Sequence, residues 1–453
     1  PHPPIMIPEV GRGREREIQP TLDAFQAVAR EIVDLAPDAL VVVSPHAPTY
    51  RDYYYVTPPG PLSGSFRDFG APYPLISCKT DAALSCSIVA EAVAAGLPCG
   101  SAGSEAGTLD HGTLIPLYWI CRAKQQLTER DAAAQETSAR FAGEWESPCP
   151  VVRLSYSGLD ARSHDSYGLA IARAIRKSGK RVVFIASGDL SHRLKRDGPY
   201  GFHPKGPEFD SIVTEAVRSN DFGRFLTLEP RLCEEAAECA ANTLRILAGV
   251  LAGSYTRSEL LSYQDTFGVG YAVGAFRPRS EDPAVRLAMF SLGTWLAEGT
   301  EPKLTPEEQA RLPSDLTGRR AGCFVSLHLD GELRGCIGTL GPATDCVAEE
   351  ILSNSLSAGL RDPRFPPVSR REFYRLTCSV DLLGPLERIE SPSELDVKRY
   401  GVVVSSGHRR GLLLPDLDGV DTVERQVSIA RNKAGIGPGE TVELARFEVV
   451  RHE

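Results

Sequence analysis

The chain has 453 residues, 42% apolar and 24% charged, with 50 Lys and Arg against 59 Asp and Glu for a net charge of −9. That balance excludes a disordered or collagen-like chain, and the absence of a long basic run argues against nucleic acid or an anionic membrane as a partner. At about 100 to 200 residues per domain, the length predicts two or three domains, each able to close a core.

In chain order, apolar strand-like runs alternate with helical periodicity over the first 276 residues. The runs Ala39 to Ser44, Tyr73 to Cys78, Val151 to Tyr156, Arg181 to Ser187 and Val269 to Phe276 predict strands. Between them, Thr21 to Leu35, Asp81 to Ala95, Tyr167 to Lys177 and Arg231 to Leu251 predict helices. Near-continuous apolar strands without polar alternation indicate burial on both faces, so the reading is α/β, a mostly parallel sheet with helices on both faces. The polar, proline-bearing segment Arg277 to Pro283 predicts a boundary, giving domains at 1–277 and 283–453. Beyond it, a helix over Ala284 to Glu298 leads into the shorter strands Gly322 to Leu329, Thr377 to Leu383 and Gly401 to Ser405, with Asp330-Gly331 as a hairpin turn. This is the pattern of a smaller α+β domain.

The longest apolar runs are far short of the roughly 18 residues of a membrane span. No charged segment followed by an apolar one opens the chain, so a cytoplasmic location is expected. The 11 cysteines are scattered without a CxxC pair, which argues against a disulfide framework and a zinc knuckle.

Four histidines stand out by context: His2, His46, His111 and His192. His46 and His192 follow long buried strands, and ligands bind beyond the carboxyl ends of strands in an open parallel sheet, so both are expected in one cleft. A metal there needs a third ligand, and the run Leu232 to Asn242 offers carboxylates. Glu234 and Glu235 fall in a first helical turn, where the helix dipole already accounts for them. Glu238 sits one turn further on among Ala and Cys residues and is the candidate ligand.

These strings carry a resemblance. Pro-His-Pro-Pro at the start, Ser44-Pro45-His46, Leu109-Asp110-His111-Gly112, His164 to Gly168, Ala186 to His192, Asp197 to Phe202 and Phe267 to Tyr271 together resemble the class III extradiol dioxygenase (LigB-type) and Memo superfamily. The resemblance implies a non-haem Fe(II) held by His2, His46 and Glu238, with a small aromatic substrate and O2 as reaction partners. It implies His192 as acid/base, His111 on the oxygen or substrate face, and Asp189 and Asp110 as groups that orient imidazoles. Two imidazoles and one carboxylate leave positions for a chelating catecholate and O2, and a neutral imidazole suits the proton transfers. Memo relatives carry a Cys near the carboxylate position, and here Cys239 adjoins Glu238, so either is a candidate. Two further readings stay open: metal-assisted hydrolysis or lyase chemistry without O2, and a Memo-like binding adaptor. Arg51, Arg193 and Lys195 are candidates to receive a substrate carboxylate.

In the second domain, Leu333-Arg334-Gly335-Cys336-Ile337-Gly338-Thr339 places a thiol between glycines beside a cation, so Cys336 is a candidate nucleophile. This string, with Arg361 to Val368, Gly411 to Pro415 and Val427 to Ile436, resembles the AMMECR-one family. Arg334, Cys336 and Arg364 are expected to line one surface, whereas Asp362 before Pro363 reads as a turn residue. The resemblance implies a radical-SAM protein as functional partner. A homo-oligomer is expected as well.

Overall fold

The computed structural model describes residues 1–101, 107–132 and 143–453, and divides into two compact units. The first comprises 1–252 and 256–277, the second 253–255 and 278–453.

At the centre of the first unit lies a three-stranded parallel sheet in the order Val151–Leu154, Ala39–Val43, Val182–Ala186. Every residue of Ala39–Val43 is fully buried, which explains the unbroken apolar run. Val43 pairs with Ala186, so the two strands end level and release Ser44 to His46 and Ser187 to His192 side by side. Two expected strands sit elsewhere. Ala71–Lys79 belongs to a separate sheet with Pro61–Phe66 and Glu144–Glu146, and Tyr271–Pro278 pairs with Thr256–Gln264.

The expected helix over Arg231 to Leu251 is broken. Pro230–Ala236 ends at Ala237, whose φ of 52° is left-handed, and a new helix, Ala241–Leu251, follows. Its place is set by two glycines. Ala161–Ser178 crosses it so closely that a Cβ on Gly168 would meet the Ile246 carbonyl, and one on Gly249 the Asp165 carbonyl. A Cβ on Gly188 would lie 2.6 Å from Ala240 Cα, so the residues before the helix lie flat against the end of the central sheet.

The second unit is built on a seven-stranded sheet, with Pro283–Glu298, Val347–Leu360 and Val423–Lys433 as its longer helices. Strands Glu332–Gly338, Cys323–Leu329, Leu376–Leu383, Glu443–His452, Tyr400–Ser406 and Arg409–Leu413 run antiparallel in that order, and Glu387–Ile389 also pairs with Glu443–His452. Asp330 and Gly331, with φ of 53° and 89°, make the expected tight turn. Asp282 caps Pro283–Glu298, which packs on Val347–Leu360 through Ser355 Oγ donating to the Ala288 carbonyl at 2.6 Å. No helix among the described residues is long and apolar enough to cross a membrane.

Candidate functional site

Three histidines from different segments converge. His2, His46 and His111 bring one ring nitrogen each within 4.8 Å of one another. His2 and His46 Nε2 stand 3.0 Å apart, and the His46 and His111 rings are 4.0 Å apart between centroids. His46 follows the central strand, and His111 begins the helix His111–Ala132.

His2 arrives from a segment near the chain start that is firmly tied down. It is 2% exposed, its backbone N–H donates to Asp189 Oδ1 at 2.7 Å, and Met6 and Ile7 behind it are fully buried. Its Nδ1 lies 3.1 Å from Ser187 Oγ, which donates to the Gly112 carbonyl at 2.7 Å. Ser187 thereby accepts from Nδ1–H, and the Nε2 lone pair is left pointing at the other histidines. Burial pushes His2 down to about 4, and burial likewise lowers His111, so both imidazoles are neutral at pH 7 and each has a lone pair to offer. At 3.0 Å the two Nε2 atoms share a hydrogen bond when His46 carries its proton on Nε2, and with that proton gone both lone pairs face the same point, where a cation would hold them together. Nitrogens about 2.1 Å from one metal at a right angle are about 3 Å apart, so the donor set fits a transition-metal ion.

Glu238 is not brought into this group. It falls in the break between helices, where its Oε2 accepts the Ala241 N–H at 2.5 Å and acts as the cap of the following helix. Burial raises its pKa above the usual carboxylate range. Cys239 is nearer: its Sγ lies 3.6 Å from His2 Nε2 and accepts the Asp189 N–H at 3.1 Å. Burial pushes this thiol strongly up, which favours its protonated form.

His192 leaves the neighbouring strand end, half-buried. Burial lowers its pKa, Asp189 opposes that, and His46 is close enough to lower it further. Tyr200, an exposed ring, stacks on it at 5.1 Å, while Phe69, also exposed, meets His111 edge-on at 5.4 Å. Arg193 and Lys195 turn elsewhere: Arg193 Nη1 donates to the Glu235 carbonyl and Lys195 Nζ to the Thr266 carbonyl at 2.9 Å. Arg51 is exposed.

Two buried residues escaped the sequence reading. Arg153 is 2% exposed on the central sheet. Its Nε donates to Thr57 Oγ1 at 2.9 Å and its Nη1 to the Thr108 carbonyl at 2.6 Å, and Nη1 lies 3.5 Å from Asp110 Oδ2. Asp110 in turn accepts from Ser44 Oγ at 2.5 Å, and Ser44 Oγ accepts the His46 N–H at 3.2 Å. A Cβ on residue 112 would collide with Ser44 Oγ, so only glycine permits this arrangement.

The second is Asp210, which accepts the Ser191 N–H at 2.8 Å and the Tyr263 hydroxyl at 2.8 Å beneath the His192 loop. Burial raises it to about 7, against an ordinary value of about 4 for the unfolded chain. Between those values the folded state holds a proton that the unfolded state has lost, so the contribution to stability is present below about pH 4 and is lost as pH rises to about 7. Asp210→Asn mimics the protonated form. Denaturation at pH 8 is expected to show the variant more stable than wild type by on the order of 4 kcal/mol, with the difference gone at pH 4. Equal stability at both values would remove the assigned proton.

In the second unit, Arg334, Cys336 and Arg364 do gather. Arg364 Nη2 donates to the Cys336 carbonyl at 3.1 Å, and Arg334 and Arg364 lie 5.9 and 5.4 Å from the Phe365 ring. Asp362, expected as a plain turn residue, is 4% exposed, and its Oδ2 accepts the Cys336 N–H at 2.9 Å.

Residues 1–274 match the family described as the catalytic LigB subunit of aromatic ring-opening dioxygenase, and residues 285–452 match AMMECR1, the AMMECR-one family. A Clostridium acetobutylicum protein is 36% identical over all of this chain and 98% of its own length. A Thermotoga maritima protein is 47% identical over 38% of this chain and 98% of its own. A crystal structure from Pyrococcus horikoshii, 29% identical, covers 37% of this chain and 88% of that one with a TM-score of 0.34. The chain therefore belongs to the LigB family of aromatic ring-opening dioxygenase catalytic subunits and carries an AMMECR1 domain behind its LigB domain.

Proposed function

We propose that the first domain is an Fe(II)-dependent, extradiol-type dioxygenase that opens a small catechol-like aromatic ring with O2. The observation that carries this is the convergence of His2, His46 and His111 at the carboxyl ends of the central strands, with His192 beside them. Held by these imidazole nitrogens, Fe(II) would supply the redox chemistry that joins a catechol to O2. The protein's own residues do the rest. Neutral His192 takes a phenolic proton and returns it to the departing oxygen, and Asp189 opposes its desolvation. Phe69 and Tyr200, exposed and each packed on a site histidine, form apolar walls suited to an aromatic ring.

A second reading has its own observation. With Glu238 turned away, the gathered donors are three imidazoles, the set that activates water in hydrolytic zinc sites. Metal-assisted hydrolysis or lyase chemistry would then need only His192 as base.

The test is metal content after anaerobic Fe(II) loading, with O2 uptake on a catechol panel. The expected result is near-stoichiometric iron and catechol-dependent O2 consumption, with His192→Ala keeping the iron but not the uptake. Bound metal with no uptake across the panel favours the second reading. Absence of metal sinks both in favour of a binding adaptor. Within the dioxygenase reading, Tyr200→Ala is expected to raise KM about tenfold while kcat changes little, since a lost aromatic contact is worth about 1 kcal/mol.

A further inference from the structure

The AMMECR1 domain holds a second constellation that the proposed dioxygenase chemistry does not use. Cys336 lies on the strand Glu332–Gly338, half-buried, with Ser326 Oγ of the paired strand donating to its sulfur at 3.3 Å. Its position is tightly set. A Cβ on Gly335 would strike the Ala358 carbonyl and one on Gly338 would strike the Phe324 ring, so the strand presses against its neighbours on both sides of the cysteine. The Arg364 guanidinium reaches both the carbonyl and the side chain of Cys336. Asp362 takes Nε and Nη2 of that guanidinium and holds it in place.

Arg334 supplies the independent observation. The pairing with Cys323–Leu329 shifts between Leu327 and His328, so Leu333 and Gly335 have partners and Arg334 is the extra residue of a bulge. Bulges re-aim side chains. Arg334 is 9% exposed, and Glu372 takes its Nε at 2.9 Å, yet its buried Nη1 has no partner among the described residues. A buried cationic N–H left unmet is costly and calls for an acceptor. Arg334 and Arg364 lie 5.9 and 5.4 Å from the Phe365 ring centroid, so the residue with the unmet donor packs on the same ring as the arginine that reaches Cys336.

We propose that Cys336, Arg364 and Arg334 form a covalent capture site for small carboxylates that carry an electrophilic carbonyl carbon. The guanidinium groups receive the carboxylate, and Ser326 and Arg364 face the sulfur as it attacks. In that step an S–C bond forms, the C=O π pair moves to oxygen, and oxygen takes the proton that the thiol gives up. Nothing is oxidised, and no co-reactant is needed. The site depends on neither the metal centre nor the reaction assigned to the first domain.

The experiment compares brief labelling of the full-length protein by iodoacetate and by iodoacetamide, read by peptide mapping. Exposed Cys86 is the internal reference. In both reagents sulfur displaces iodide, and they differ in carrying an anion or a neutral amide. The iodoacetate-to-iodoacetamide rate ratio at Cys336 is expected to exceed that at Cys86 by about tenfold, the scale of local electrostatic focusing. Arg364→Gln, at a side chain 53% exposed and therefore tolerant of change, should bring the ratio down to that of Cys86, with Arg364→Lys retaining part of it. Glyoxylate, which joins an aldehyde to a carboxylate, should slow labelling of Cys336 several-fold, and acetaldehyde should not. Equal ratios at Cys336 and Cys86, a ratio indifferent to Arg364→Gln, or failure of glyoxylate to protect would each overturn the proposal.

Discussion

His46→Ala is expected to lower metal affinity by more than about 100-fold, beyond the range seen when groups that merely orient a ligand are removed. The fold should survive, because His46 is exposed and pays no burial cost on truncation. His2→Ala would be a poorer test, since His2 is buried and its loss opens a cavity as well as a coordination position. The companion variant is Glu238→Gln. Its carboxylate already accepts the Ala241 N–H, an interaction the Gln carbonyl oxygen can keep, so metal affinity should stay within about threefold of wild type. Titration of the apo-protein with Fe(II) or Co(II), beside a thermal melt of each variant, checks both. If Glu238→Gln loses metal as completely as His46→Ala with an unchanged melt, the segment between the two helices rearranges on loading. The ligand set is then two His and a Glu, as the family resemblance implies.

The contrast between those two residues shows where sequence reading succeeds and where it stops. His46 and His192 were legible because continuous apolar runs mark strands buried on both faces, and such strands deliver their next residues to one crevice. Ala, Cys and Glu keep the helical period unbroken around Glu238, so the sequence predicts a continuous helix there. The break falls on Ala237, a residue that gives no hint of a left-handed conformation. Local pattern also finds a strand without naming its partner, and so the runs Tyr73 to Cys78 and Val269 to Phe276 mark the strands Ala71–Lys79 and Tyr271–Pro278 but not the sheets they join. In the second domain, Asp362 before a proline looked like a turn residue. Its burial against the Cys336 N–H depends on a strand 26 positions away, which no local window contains.

Arg153 likewise draws its partners from segments far away in sequence, and Arg153→Met is expected to destabilise the first unit strongly. Methionine keeps the apolar stem within the sheet but leaves Asp110, whose side chain is 11% exposed, without its cation. Thr57 Oγ1 and the Thr108 carbonyl lose a donor at the same time. Removing one partner of a buried ion pair costs about 3–5 kcal/mol, most of it from the charge left behind. Asp110 keeps Ser44, Thr113 N–H and Thr113 Oγ1 as donors, which places the expected loss toward the lower end of that range. The double variant Arg153→Met with Asp110→Asn removes the stranded charge and should recover part of the stability, as a double-mutant cycle in urea would show. Function responds through the same chain of contacts. Asp110 holds Ser44, Ser44 accepts the His46 N–H, and His111 follows Asp110 directly, so loosening Asp110 displaces two of the three gathered imidazoles. Metal affinity should therefore fall about 10- to 100-fold even though Arg153 is not among the residues that would hold the ion. An unchanged melt together with unchanged metal affinity would show that Arg153 merely fills space in the sheet.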